Sequence, residues 1–82
     1  MGRALMARVR YFAAAEEAAG RAEETRGETT LDALRAALAA DHPALEAILP
    51  RCAVLVDGRR HDDDVPLPAD ATVDVLPPFA GG

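Results

Sequence analysis

Two stretches of this chain alternate in phase between apolar and mostly polar residues, and they stand near its opposite ends. Residues 4–12 place Leu5, Ala7, Val9 and Tyr11 in one phase and Met6, Arg8, Arg10 and Phe12 in the other. Residues 71–76 set Val73 and Val75 against Thr72, Asp74 and Leu76. Such alternation marks a strand with one face on a core. Between the two lies the best helical stripe, Leu31, Leu34 and Leu38 at i, i+3 and i+7, with Ala37 filling it. A half-apolar sheet needs a cover, and one such helix supplies it. The expected fold is α+β, a mixed sheet covered by one main helix, with the first and last strands paired in parallel at the centre.

The intervening segments fit that frame. Ala13 to Ala19 reads as one or two helical turns stopped by Gly20. Arg21 to Glu28 is polar and reads as a second strand, hairpin partner to the first, at an edge where charge discourages unwanted pairing. Thr29 or Thr30 opens the main helix, and Asp32 stands at capping-box spacing from Thr29. His42-Pro43 ends it, because a residue before proline resists the helical region. Pro43 then starts a short helix carrying Leu45, Ile48 and Leu49, which Pro50 closes. Arg51 to Val56 reads as a buried strand, Asp57-Gly58 as a turn, and residues 59–70 as polar loop. Pro77-Pro78 stops the last strand and leaves Phe79-Ala80-Gly81-Gly82 as a tail. The expected organisation is one domain over residues 1–82, with 77–82 a flexible C-terminal tail.

Bulk properties narrow the function. A chain of 82 residues buries only about 60% of its unfolded surface, which leaves little room for a deep cofactor pocket. Its fourteen acidic residues outnumber nine basic ones for a net charge of −5, and every basic residue is Arg. An acidic chain without a basic stripe is poorly suited to nucleic acid. It suits a basic protein partner, or the charge serves solubility alone. The absence of Lys reads as compositional bias, or as protection of an activated C-terminus from amines. One cysteine, Cys52, excludes an internal disulfide and reads as a buried structural thiol. No apolar run approaches a membrane span and no signal peptide is evident, so a cytoplasmic location is expected. Either Met1 or Met6 can serve as initiator.

Few residue groups offer chemistry. His61-Asp62-Asp63-Asp64 lacks metal-loop spacing and reads as a solvated loop. His42 reads as a helix-end residue. Glu16-Glu17 and Glu23-Glu24 are adjacent pairs with no reason to share a cleft. The C-terminus remains. Gly81 and Gly82 have no Cβ and can enter a narrow channel, while Pro77-Pro78 stiffens the exit. Six residues from Pro77 onward reach roughly 20 Å when extended. Such a tail carries a terminal carboxylate into another protein's active site, or it is a frayed end. A carboxylate becomes a useful acyl group once adenylated by ATP, and a sulfur donor then converts it into a thiocarboxylate.

With tail and element order together, the chain resembles the molybdopterin synthase small-subunit family of ubiquitin-like sulfur carriers. The resemblance runs from Val9-Arg10-Tyr11-Phe12-Ala13 through Thr30-Leu31-Asp32-Ala33-Leu34, His42-Pro43-Ala44-Leu45, Val54-Leu55-Val56-Asp57-Gly58 and Asp70-Ala71-Thr72-Val73 to Leu76-Pro77-Pro78-Phe79-Ala80-Gly81-Gly82. The last heptad is its most specific piece. It implies a ubiquitin-like β-grasp. It also implies that a ubiquitin-activating-like adenylyltransferase uses ATP to adenylate Gly82, beside Gly81, before thiocarboxylate formation. No bound cofactor and no metal is implied. The tail then enters the synthase large subunit, which supplies the catalytic residues, and delivers sulfur to cyclic pyranopterin monophosphate in molybdenum cofactor biosynthesis. The partner-binding positions it implies are Phe12, Leu76, Pro77, Pro78, Phe79 and Ala80. Two positions depart from the family: Glu16-Glu17 where Arg-Glu is frequent, and Phe79 where a small β-branched residue is common. Arg8 or Arg10 can supply the missing basic contact. A carrier for another pathway (thiamine, cysteine or tRNA thiolation) and a non-catalytic β-grasp binding module remain as alternatives.

Overall fold

A computed structural model describes residues 6–78. In chain order the elements are β1 (Ala7–Tyr11), α1 (Ala14–Ala19), β2 (Glu23–Arg26), α2 (Leu31–Asp41) and α3 (Pro43–Glu46), then a 3-10 turn (Leu49–Arg51), β3 (Ala53–Val56), β4 (Arg59–Arg60) and β5 (Thr72–Leu76). The strands form one five-stranded sheet in the order β2-β1-β5-β3-β4. Strands β1 and β5 pair in parallel from Arg8↔Thr72 to Tyr11↔Val75. All other pairs are antiparallel. The mixed sheet, the parallel terminal strands and the covering helix expected from the alternation are all present, and together they make the ubiquitin-like β-grasp.

The core lies between one sheet face and α2. Val9, Val73 and Val75 meet Leu31, Leu34, Leu38 and Leu45, all fully buried. Apart from Leu45, which α3 contributes, these are the residues of the two alternating phases and the helical stripe. Burying each such side chain contributes about 1.5–3 kcal/mol, so this seam holds the domain together.

The start of α2 differs from the capping box expected at Thr29 and Asp32. Thr30 is the cap, and its Oγ1 accepts from Ala33 N–H at 3.2 Å. The two preceding amides are served from far along the chain. Leu31 N–H donates to Val65 O at 2.9 Å, and Asp32 N–H to Asp64 Oδ1 at 2.7 Å. A carboxylate here also complements the helix dipole. The 59–70 segment is therefore not free loop. Its start is the edge strand β4, and Arg35 clasps it by donating to His61 O at 2.7 Å and Asp62 O at 3.3 Å.

Three local features set chain direction. Gly20 ends α1 at φ 76°, the left-handed stop its position predicts. Asp57 and Gly58 take φ 50° and 86°, the mirror turn that matches hairpin twist. Asp57 also exchanges hydrogen bonds with Thr72 at 2.8 and 2.9 Å, tying the β3–β4 hairpin to β5. Pro50, expected to close α3, instead sits inside the 3-10 turn that follows it.

Candidate functional site

Parallel pairing puts the C-terminal ends of β1 and β5 at one end of the sheet. Phe12 follows β1, Leu76 ends β5, and Phe12 N–H donates to Val75 O at 3.2 Å. One step beyond the Tyr11↔Val75 pair, Phe12 comes beside Leu76, and Leu76 is paired with Ala53 of β3. Phe12, Leu76 and Ala53 thus form an outward apolar row where the chain leaves the sheet. Phe12 is 36% exposed, the one exposed large hydrophobic side chain among the described residues. Leu76 is half-buried, Pro78 exposed and Pro77 buried. Gly81 and Gly82, to which the sequence reading gives the chemistry, and Phe79 and Ala80, two of its partner-binding positions, lie outside the described residues, as does most of the flexible tail expected over residues 77–82.

The next row across the outer face runs Glu23, Arg10, Asp74, Leu55 and Arg60. Its middle is an ion pair. Arg10 donates from Nε to Asp74 Oδ1 at 2.6 Å and from Nη2 to Asp74 Oδ2 at 2.9 Å. The Arg10 guanidinium carbon lies 5.7 Å from the Phe12 ring centroid, a distance at which a cation is attracted to the ring face. The hydrogen bond and the charge of Asp74 raise the Arg10 pKa. Sequence reading singled out neither the pair nor its register. Both residues carry the outward phase of alternating strands, and that was the available signal.

A second carboxylate anchors the other side of β1. Glu24 Oε2 accepts from Tyr11 Oη at 2.5 Å and contacts His42 Nε2 at 2.7 Å. Arg26 reaches Glu24 at 3.4 Å, Glu28 at 3.1 Å and Asp41 at 2.8 Å. Burial pushes the Glu24 carboxyl up, but hydrogen bonds from Tyr11 and His42 outweigh it and hold the group below the usual carboxylate range. Burial, reinforced by the Glu24 hydrogen bond, drives the Tyr11 phenol far up. This cluster ties edge strand β2 to the end of α2. His42, read as a helix-end residue, therefore also closes a side-chain network.

The remaining candidates disperse. Glu16 and Glu17 are exposed in the first turn of α1. Arg8, a possible substitute for the family's basic residue, lies 3.5 Å from Glu23. Cys52 is half-buried, its thiol donates to Ile48 O at 3.3 Å, and burial pushes its pKa up. Among the described residues no His/Cys/Asp/Glu group is arranged to hold a metal, and no helix is long and apolar enough to cross a membrane.

Comparison with known proteins accords with this arrangement. A protein-family model described as the ThiS family matches residues 9–82. No curated protein matches the chain. Among solved structures, small archaeal modifier protein 1 from Methanosarcina acetivorans has a TM-score of 0.81 at 22% identity, covering 99% of this chain and 100% of that one. Small archaeal modifier protein 1 from Haloferax volcanii gives 0.78 at 25% identity, covering 94% of this chain and 99% of that one. A Pyrococcus furiosus protein provisionally named molybdopterin converting factor, subunit 1, gives 0.79 at 23% identity, covering 92% and 99%.

Proposed function

The chain belongs to the ThiS family of ubiquitin-like sulfur carriers, and from that premise we propose that it delivers sulfur to cyclic pyranopterin monophosphate in molybdopterin synthesis. The observation that carries the reading is the reach of the family match. It extends through Gly81-Gly82, and β5, the last strand before that segment, ends in an exposed apolar row. In this reading the Gly82 carboxylate attacks the α-phosphorus of ATP and pyrophosphate leaves. A sulfur donor at the hydrosulfide level then displaces AMP and leaves the thiocarboxylate. That group is ionised at neutral pH and is a soft nucleophile. The adenylation is performed by a ubiquitin-activating-like adenylyltransferase, and the sulfur is used inside a synthase large subunit. No side chain of the carrier takes part, which fits a surface without a catalytic cluster among the described residues.

The apolar row of Phe12 and Leu76, with Pro78 beside it, is the surface these partners would meet. Exposed apolar side chains beside a reactive tail are what a partner's pocket recognises. Pro77 is buried, so its part in this reading is to shape the exit. The likeness to the Haloferax volcanii modifier, at 25% identity, supports a second reading, a carrier serving a different client.

Reconstitution with a synthase large subunit separates the two. The thiocarboxylated chain is expected to support molybdopterin formation, and a chain lacking Gly82 to support none. A thiocarboxylated chain that yields no molybdopterin with the large subunit would give the second reading precedence. Activity surviving deletion of Gly82 would remove both.

A further inference from the structure

A cleft of about 460 Å³ opens between α2, the 3-10 turn and the end of β4, within the roughly 300–1,000 Å³ usual for small-ligand sites. Sulfur delivery as proposed gives it no task. Ala39, Leu49, Pro50 and Cys52 make one side of it apolar. Three arginines of the lining, Arg35, Arg51 and Arg60, stand against two carboxylates, Glu46 and Asp62. The cleft is therefore positive in a chain of net charge −5. Two of the arginines are engaged. Arg35 donates to the His61 and Asp62 carbonyls, and Arg60 lies 3.2 Å from the Asp62 carboxylate. Arg51 is exposed, and its side chain makes no hydrogen bond or ion pair among the described residues.

The cleft stands beside the place where the chain leaves the sheet. Ala53 pairs with Leu76 in the antiparallel β3–β5 ladder. One step further Cys52 comes opposite Pro77, and neighbouring strands stand only about 5 Å apart. Residues 78–82 follow and span up to roughly 17 Å when extended. They carry one aromatic ring, Phe79, and in the carrier reading they end in a carboxylate at Gly82. The other apolar surface at this end is the Phe12–Leu76 row. Its neighbouring cations are already taken, Arg10 by Asp74 and Arg8 by Glu23. The cleft instead joins an apolar wall to a cation without a partner.

We propose that this cleft is a docking site for the chain's own C-terminal segment, with Phe79 against Leu49 and Pro50 and the Gly82 carboxylate on Arg51. The result is a latch that withholds the terminus from the adenylating enzyme until it opens. The inference rests on the carrier reading for a free carboxylate at Gly82. Docking takes the Phe79 ring out of water, and the ion pair adds a contact that salt weakens. A latched terminus is not taken up, so the enzyme's apparent affinity falls in proportion to the open fraction.

The test compares amide NMR spectra of the full chain, of Arg51→Gln and of a chain ending at Pro78, at low and high salt and over a range of protein concentrations. Removing residues 79–82 is expected to shift the amides of Ala39, Leu49, Arg51 and Cys52 and to leave those of the core residues Val9 and Leu34 in place. Arg51→Gln should reproduce part of that shift and raise the titration of the Gly82 carboxyl by about half a pH unit. In carrier-dependent ATP–pyrophosphate exchange with the adenylating enzyme, Arg51→Gln should lower KM for the carrier about threefold at unchanged kcat, as when about two-thirds of the chains are latched. Cleft amides indifferent to the loss of residues 79–82 would overturn the proposal. So would shifts that grow with protein concentration, which assign the cleft to the tail of a second copy. A KM unchanged or raised in Arg51→Gln would overturn the withholding role. If the parent supports no exchange, the carrier reading falls, and the spectra still decide whether the segment docks.

Discussion

The two faces of the central β1–β5 pair are built on different terms. Toward α2 stand Val9, Tyr11, Val73 and Val75, each at most 2% exposed. Away from it stand the Arg10–Asp74 pair and the Phe12–Leu76 row, partly open to solvent. The inner face is close-packed, so a lost methylene there is felt directly. The outer face keeps a charge pair and an exposed ring where apolar residues would serve stability as well. The inner face makes the chain fold, and the outer face is free to be shaped by a partner.

The largest expected effect tests the inner face. Leu34→Ala should lose about 2–5 kcal/mol in urea unfolding, enough to unfold much of so small a domain. Phe12→Ala should cost less than about 1 kcal/mol while weakening uptake by the adenylating enzyme. Equal losses of stability in the two variants would erase the distinction between the faces.

The next effect concerns how the edge strand is held to that inner layer. Glu24→Ala leaves the Tyr11 hydroxyl and the His42 ring without their acceptor, and should cost about 1–3 kcal/mol. A change within error would mean that water replaces Glu24 and the cluster is not a tie.

Ala13 offers an effect of opposite sign. Ala13→Gly relieves a strained φ of 52° and should raise stability by up to about 1 kcal/mol. If Phe12 is held partly by that strain, the same variant should bind the adenylating enzyme less well. A gain in both would show that the turn does not position the ring.

Acid should produce the most gradual change. Glu24 and Glu28 are both held below the usual carboxylate range, Glu28 chiefly by its hydrogen bond from Arg26. The unfolded chain therefore binds protons more readily than the native one in acid. Their contribution is complete above the unfolded value near about 4.3 and is lost as pH falls through the depressed native values. Urea midpoints followed into acid should decline, and Glu24→Gln should flatten the decline. A parent whose midpoint holds steady would contradict the role given to these carboxylates.

Much of this contrast was legible in the sequence, because periodicity reports directly on burial. Val9 with Val73, and Leu31 with Leu34 and Leu38, could be assigned to the core from spacing alone. The phase of Phe12 set it opposite the core residues, which left exposure and packing under α1 both open to it. What escaped was whatever depends on register or on residues distant in sequence. The Arg10–Asp74 pair spans sixty-four positions, and alternation cannot say which residues of two strands face each other. Asp64 accepts from the Asp32 amide in the first turn of α2, thirty-two positions away, which no local pattern encodes. His42 was read only for the proline that follows it, and its ring contact with Tyr11, at 6.0 Å between centroids, depends on tertiary packing.

The proposed function requires that Gly82 carry sulfur. Intact mass spectrometry of the chain, produced together with its adenylating enzyme and a sulfur source, addresses that claim directly. The expected result is a mass shifted by the replacement of one oxygen by sulfur, located at Gly82 by fragmentation and absent when the enzyme's ATP site is disabled. An unmodified terminus under those conditions would contradict it.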